Sequence, residues 1–237
     1  MTTLLHIDSS ARASRPETDA RGSHTRRLSE RFISRWREAV PDDAVIYRDV
    51  ALNPPTPVTG DWIAGAFTAP QERSAEMSAV LEESDLLVGE LTWADVLVIG
   101  APMYNFGVPS TLKAWVDNIV RVGLTFGFDR SRKGDPYWPM LEPGKHLVIL
   151  TSRGDYGYGP EGRLEHMNHV DKALATALTY IGVTEITTIA VEYDEFSDTR
   201  VEDSLSDALA EIDALVESMT GGSGTASDDR RQTVQVG

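Results

Sequence analysis

The chain has 237 residues, 41 % of them hydrophobic and 25 % charged, which suits one large domain or two small ones and allows a sizeable core. A balance of 37 Asp and Glu against 22 Lys and Arg gives a formal charge of -15, which disfavours extended contact with nucleic-acid phosphates or anionic lipid. With no cysteine, disulfide frameworks, thiolate metal sites and cysteine nucleophiles are excluded, and redox chemistry requires a bound cofactor.

Thr3 to Asp8 is a short apolar run broken by the polar cluster Asp8-Ser9-Ser10, the pattern of a buried strand ending in a loop. From Ser23, Leu28, Phe32, Ile33 and Trp36 recur at helical spacing, with Ser23 or Thr25 as the cap. Residues 44–50 read as a second strand, and the proline-rich loop NPPTPVTG after it cannot join a sheet interior. A helix over 70–92 leads to ADVLVIGAP (94–102), a near-continuous apolar strand of the kind buried on both faces of a parallel sheet. A loop at 102–109, a helix at 110–122, a strand at 145–152, a helix at 163–181, a strand at 184–192 and a helix at 200–219 complete the order. Five strand–helix repeats predict a three-layer α/β fold with a five-stranded parallel sheet, order 2-1-3-4-5, in a single domain over 1–219. The tail GGSGTASDDRRQTVQVG has no apolar period, so disorder is expected over 220–237. The start MTTLLHIDSSAR has no basic leader, and no stretch approaches the roughly 18 apolar residues of a spanning helix; a soluble, cytoplasmic protein without membrane or nucleic-acid partners is expected.

In such a sheet, ligands bind beyond the carboxyl ends of the strands where strand order reverses, here between the first and third. The loop after the first strand brings Ser10, Ser23, His24 and Thr25 directly before a helix, so hydroxyls and free amides converge on the positive end of the helix dipole, an anion site. After the third strand, Met103, Tyr104 and Phe106 stand where a turn is normally polar and suit a flat aromatic ring. Gly154, after the fourth strand, lets the backbone approach a ring edge. Together these features outline a site for a mononucleotide with a planar head, such as FMN.

The segment APMYNFGVPSTLKAWVDNIVRVGLTFGF (101–128) resembles the FMN-dependent NADH:azoreductase and quinone reductase family, which has a flavodoxin-like fold. Ser9-Ser10, SHTRRLS at the first helix and LTSRG after the fourth strand agree with it. The resemblance implies an FMN phosphate held near Ser10 and by Ser23, His24 and Thr25, with the ring against Met103, Tyr104, Asn105 and Phe106 and Ser152, Arg153, Gly154 and Asp155 at its other edge. It further implies one FMN per subunit, NADH or NADPH as donor, quinone or azo acceptors, and a substrate pocket of Asn105, Phe106, Phe128 and Tyr180. No side chain is an obligatory catalyst, since the cofactor carries the chemistry and the protein positions it. The loop between Ser10 and Ser23 is longer than is usual in the family, and SRGD replaces a common pair of glycines, which places the Asp155 carboxylate near the ring edge. A homodimer covering the site is expected, with Trp62, Phe67 and Tyr180 at the boundary. An electron carrier or a non-catalytic FMN-binding dimer on the same fold is the alternative.

Other patterns weigh less. Gly157 to Gly162 fits G-x-G-x-x-G, but its first glycine follows Ser152 by five residues and Pro160 removes a donor. A serine hydrolase lacks G-x-S-x-G and a late histidine. His166 and His169, spaced three apart on a helix, lack a third metal ligand, so no metal is expected.

Overall fold

The computed structural model describes residues 1–12 and 22–221. Its elements are β1 (Thr3–Asp8), α1 (His24–Ala39), β2 (Ala44–Asp49), α2 (Gly60–Phe67), α3 (Ala75–Trp93), β3 (Val96–Pro102), α4 (Ser110–Ile119), β4 (Phe126–Phe128), β5 (Tyr137–Pro139), β6 (His146–Ser152), α5 (His169–Ile181), β7 (Glu185–Val191) and α6 (Thr199–Gly221).

Five strands form one parallel sheet in the order β2-β1-β3-β6-β7. Counted along the five strands of that sheet, this is the expected order 2-1-3-4-5. Side chains alternate across each strand, and both faces are covered. Leu97 and Ile99 of β3 and Leu147 and Ile149 of β6 pack against α3, α4 and α5, while Val96, Val98, Val148 and Leu150 pack against α1 and α6. The continuous apolar runs in the sequence are therefore two interleaved faces, each buried by a different helical layer. Leu28, Phe32, Ile33 and Trp36 supply the α1 stripe, and Leu112, Trp115, Val116 and Ile119 the α4 stripe.

Several boundaries differ from expectation. The region read as one helix over 163–181 opens with a turn at 163–164 and a 3-10 turn (Glu165–Met167), and α5 starts only after Asn168, whose side chain accepts from the amides of Val170 and Asp171. The stretch 70–92 begins with a 3-10 turn at Pro70, and α3 starts behind the Ser74 cap. After the proline loop an additional helix, α2, buries Trp62 against Val58, Ala66 and Leu81. The Trp62 indole donates to Asn118 Oδ1 at 3.2 Å, so this ring packs within the subunit, which corrects its assignment to a subunit boundary. A two-stranded antiparallel hairpin, β4 with β5, was not foreseen. Thr220 and Gly221 continue α6, and the rest of the expected disordered tail lies outside the described residues, as does most of the long loop before Ser23.

Candidate FMN site

The carboxyl ends of β1, β3 and β6 meet the start of α1. After β1, Ser9 is fixed by its hydroxyl, which donates to the Gly100 carbonyl at 2.7 Å, and this turns the chain across β3. Ser23 caps α1, its hydroxyl accepting from the Arg26 amide at 3.3 Å. The first-turn amides of α1 have no acceptor within the helix. A cavity of about 290 Å³ opens at this point, lined by Ser10, Arg12, Ser23 and His24, by Pro102 to Asn105, by Ser152 and Gly154, and by Asp194 and Glu195.

The wall after β3 is a tight turn. Tyr104 and Gly107 exchange backbone hydrogen bonds at 2.9 and 3.1 Å, and the two residues between them, Asn105 and Phe106, have φ of 48° and 70°. Asparagine accepts the left-handed region readily, whereas a bulky phenylalanine does so at a cost of about 1–3 kcal/mol. Outside contacts hold the turn in place. The His169 amide donates to the Phe106 carbonyl at 3.0 Å, and the Ala11 amide donates to the Tyr104 hydroxyl at 3.1 Å, bridging the first and third loops.

The loops after β6 and β7 run together, with the Asp194 amide donating to the Arg153 carbonyl and the Glu195 amide to the Gly154 carbonyl, both at 3.1 Å. A Cβ on Gly154 would lie 2.6 Å from the Glu195 carboxyl carbon, so the bare face of Gly154 is covered by Glu195. The G-x-G-x-x-G string is not a phosphate cradle, because the amides of Gly157 and Tyr158 donate to the Glu192 carboxylate at 2.9 and 3.1 Å.

The cleft carries charges of both signs, Arg12 and His24 against the carboxylates of Asp194 and Glu195. His24 Nε2 lies 3.1 Å and Arg12 Nη1 3.5 Å from the Asp194 carboxylate. The hydrogen bond from His24 holds the Asp194 carboxyl below its ordinary value. His24 Nδ1 is buried without a partner, which leaves the ring short of one hydrogen bond. Behind the cavity, Arg26 is almost fully buried and binds the loop from below, through Nη2 to the Ser10 carbonyl at 2.9 Å and through Nε to the Arg12 carbonyl at 2.9 Å. Hydroxyls, an imidazole, a guanidinium and a helix start on one side, with Met103 and Tyr104 on the other, fit a phosphorylated ligand with a flat apolar head.

Of the residues singled out in the sequence, Ser10, Ser23, His24, Met103, Tyr104, Asn105, Ser152 and Gly154 come together around this cavity. Thr25 does not line it: the side chain is fully buried beneath Ser23, hydroxyl to hydroxyl at 3.0 Å. Arg153 points away, buried between Asp171 (2.7 Å) and Glu192 (3.1 Å). Asp155 turns outward to Arg163 at 2.5 Å, which lowers its carboxyl below the ordinary value through that hydrogen bond. Phe106 is at the exposed tip of its turn. Phe128 and Tyr180 belong to an aromatic group on the β4–β5 hairpin, with Phe128 stacked on Tyr137 (4.8 Å) and Tyr180 tilted against Phe126 (5.1 Å). Arg12, Asp194 and Glu195 were not singled out; the rule that ligands gather at carboxyl ends points to the last two once the loop after the fifth strand is included. No group of three or more His, Asp or Glu among the described residues could hold a metal ion.

Fold and site together define a flavodoxin-like protein with a polar-and-apolar cleft of about 290 Å³ at its switch point. The model of the flavodoxin-like fold family Flavodoxin_2 matches residues 2–216, and the chain belongs to that family. Within it, the chain is 42 % identical over 219 residues to FMN-dependent NADH:quinone oxidoreductase 2 of Colwellia psychrerythraea, covering 92 % of this chain and all of that protein. It is 44 % identical over 219 residues, with the same coverage, to FMN-dependent NAD(P)H:quinone oxidoreductase 1 of Pseudomonas aeruginosa. An azoreductase structure from Bacillus anthracis shares the fold at a TM-score of 0.79 and 23 % identity, over 92 % of this chain and all of that one. An FMN-dependent NADH-azoreductase structure from the same species, in complex with FMN, shares it at 0.77 and 17 % over 93 % of this chain and all of that one.

Proposed function

We propose that this protein is an FMN-dependent NAD(P)H oxidoreductase that reduces quinones and aromatic azo compounds by two-electron, ping-pong turnover. The observation that carries the reading is the cleft itself, with the capped start of α1 and His24 at one end and the Met103-Tyr104-Asn105 turn at the other, in a chain more than 40 % identical along nearly its whole length to FMN-dependent quinone oxidoreductases.

Ser10, Ser23, Arg12 and His24 would hold the phosphate, with the amides at the helix start as further polar partners. Met103, Tyr104 and Asn105 would form the wall against the ring, and Ser152 and Gly154 its far edge. FMN, when bound, supplies hydride acceptance from a reduced nicotinamide and electron donation to the acceptor. The Asn105 side chain gives a polar contact to ring or substrate, and its left-handed backbone fixes where that contact falls. At about 290 Å³ the cleft is at the low end of the range for small-molecule sites, about 300–1,000 Å³. A mononucleotide therefore keeps part of its surface outside it. A second subunit over that opening would exclude water, with Phe106, Phe128 and Tyr180 as the aromatic groups facing it from the exposed side. A reduced-nicotinamide donor supports a cytoplasmic location, and no described helix is long and apolar enough to cross a membrane.

Steady-state kinetics of NADH oxidation with a quinone test the reading. Yellow protein holding FMN, quinone-dependent turnover and parallel double-reciprocal plots are expected. Colourless protein that does not take up micromolar FMN removes the reading, FMN-loaded protein that oxidises no NADH with or without quinone points to an electron carrier or a non-catalytic FMN-binding dimer, and intersecting plots remove the shared cavity.

A further inference from the structure

The loops that close the cleft after β6 and β7 continue outward into an aromatic rim. Tyr156 and Tyr193 stack at 4.9 Å and 18°, and Phe196 meets both edge-on, at 6.3 and 5.5 Å. Arg163 lies over Tyr156 at 4.2 Å and Arg200 over Phe196 at 4.3 Å. These rings are more than one-third exposed at Tyr156 and Phe196, in loops where water would favour polar side chains. The segment is held in an unfavourable backbone to present them, with φ of 66° at Tyr193 and 52° at Ser197.

We propose that this rim binds the adenine and pyrophosphate half of the nicotinamide dinucleotide donor, an assignment that rests on the oxidoreductase reading above. Continuity is the first argument. Asp194 and Glu195 line the cleft, and Tyr193 and Phe196 are their immediate neighbours, so a donor whose nicotinamide enters the cleft passes directly over the rim. Surface chemistry is the second. A purine stacks on guanidinium planes as well as on aromatic rings, and Arg163 over Tyr156 and Arg200 over Phe196 offer guanidinium planes backed by rings. Charge is the third. A chain of -15 repels a dinucleotide polyanion over most of its surface. At the rim, Arg163 is paired with Asp155 and Arg200 with Asp198 at 2.6 Å, so beside the cleft carboxylates of Asp194 and Glu195 the approach still presents two guanidinium groups that can turn to a pyrophosphate.

The test uses FMN-loaded enzyme and two donors: NADH, and reduced nicotinamide mononucleotide, which lacks the adenosine half. In the variant Tyr156→Ala/Phe196→Ala, KM for NADH is expected to rise about fivefold or more, as for loss of a base–aromatic stack. The expected kcat stays within about twofold, and KM for the mononucleotide donor and for the quinone does not move. Phe196→Trp, which keeps a stacking face, retains the wild-type KM for NADH. ADP-ribose binds the wild-type holoprotein in calorimetry, competes with NADH, and binds the double variant at least about fivefold more weakly. An equal KM rise for both donors, an unchanged KM for NADH, or no ADP-ribose binding to the wild type overturns the proposal. A wild-type holoprotein that oxidises no reduced nicotinamide removes the oxidoreductase reading instead, and the ADP-ribose titration then still decides whether the rim takes the adenosine half. The titration also decides the case if the double variant fails to fold.

Discussion

Arg26 Nη1 donates to the Asp49 carboxylate at 2.6 Å, and this buried pair joins the first turn of α1 to the end of the edge strand β2. The same guanidinium lies 3.5 Å from Asp8 and donates to the carbonyls of Ser10 and Arg12, so one side chain positions the cleft's first loop from behind. Arg26→Leu leaves two carboxylates buried without their cation and is expected to destabilise the fold by about 3–5 kcal/mol. Arg26→Lys keeps the charge but cannot make the forked set of bonds, so its loss is smaller in stability while FMN affinity still falls. Urea unfolding of both variants, with FMN titrations, checks this; equal FMN affinity in Arg26→Lys and wild type would detach the loop's geometry from the guanidinium.

The pair also sets an acid limit. Burial works against the charge on Asp49, but the Arg26 hydrogen bond and the amides of Leu52 and Ala51 outweigh it and hold the carboxyl below its ordinary value of 3.8. A carboxyl whose folded pKa is depressed adds stability that is complete above the unfolded pKa and is lost as pH falls through the folded one. Stability is therefore expected to be flat with respect to this group above about pH 5 and to fall below pH 4, in steps that Asp49→Asn removes. Denaturation midpoints from pH 7 to pH 3 in wild type and Asp49→Asn measure the difference; parallel profiles would show that Asp49 is not the group concerned.

Ser23 and Thr25 look equivalent in the sequence, as two hydroxyls at a helix start, but only Ser23 reaches the cleft. Ser23→Ala is expected to cost about 0.5–2 kcal/mol of stability through the lost cap and to weaken FMN about tenfold, the loss of one hydrogen bond to a charged group at about 1.5 kcal/mol. Thr25→Ala removes a buried hydroxyl one layer below and should change FMN affinity much less. Fluorescence titration of FMN with each variant separates them, and a larger loss in Thr25→Ala would move the phosphate off Ser23.

Phe106 occupies a left-handed turn position that glycine adopts without strain. Phe106→Gly is therefore expected to raise thermal stability by about 1 kcal/mol while lowering turnover, since the exposed ring is lost from the mouth of the site. Thermal unfolding and quinone-dependent kinetics on one preparation test both directions. A destabilised variant would mean that the ring contributes more packing than its backbone costs.

The central strands were legible because β1, β3 and β6 are buried on both faces, which removes polar residues from runs such as Val96 to Pro102, too short for an ordinary helix. Ser23 was legible as a cap for the same reason of local chemistry. What local pattern could not carry was pairing at a distance. Arg153 stands in a loop that suits ligand contact, yet its charge is met by Asp171 and Glu192, partners 18 and 39 positions away in the chain. The string around Asp194 reads as solvated polar loop, and becomes a cleft wall only when β7 sets it beside Arg153 and Gly154. The β4–β5 hairpin has three residues in each strand, too few for a period, and depends on Gly127, where an added Cβ would meet the Trp138 ring at 1.9 Å.

Assembly is the remaining expectation with a direct test. With Trp62 packed inside the subunit, Phe67 on α2 is 67 % exposed, and Tyr180 and Tyr137 beside the hairpin are 37 % and 42 % exposed. Large apolar rings at these exposures are stabilised when covered, and aromatic side chains dominate the centres of protein interfaces. Tyr180 is tilted against Phe126 and Tyr137 and stays more than one-third exposed, so a charge there disturbs an interface more than it disturbs the fold. Wild-type protein is expected to be a dimer by light scattering, and Tyr180→Asp a weaker dimer with reduced quinone turnover and near-normal FMN content. A fully active wild-type monomer would reject a site completed by the second subunit, and a dimeric, fully active Tyr180→Asp would place the boundary elsewhere.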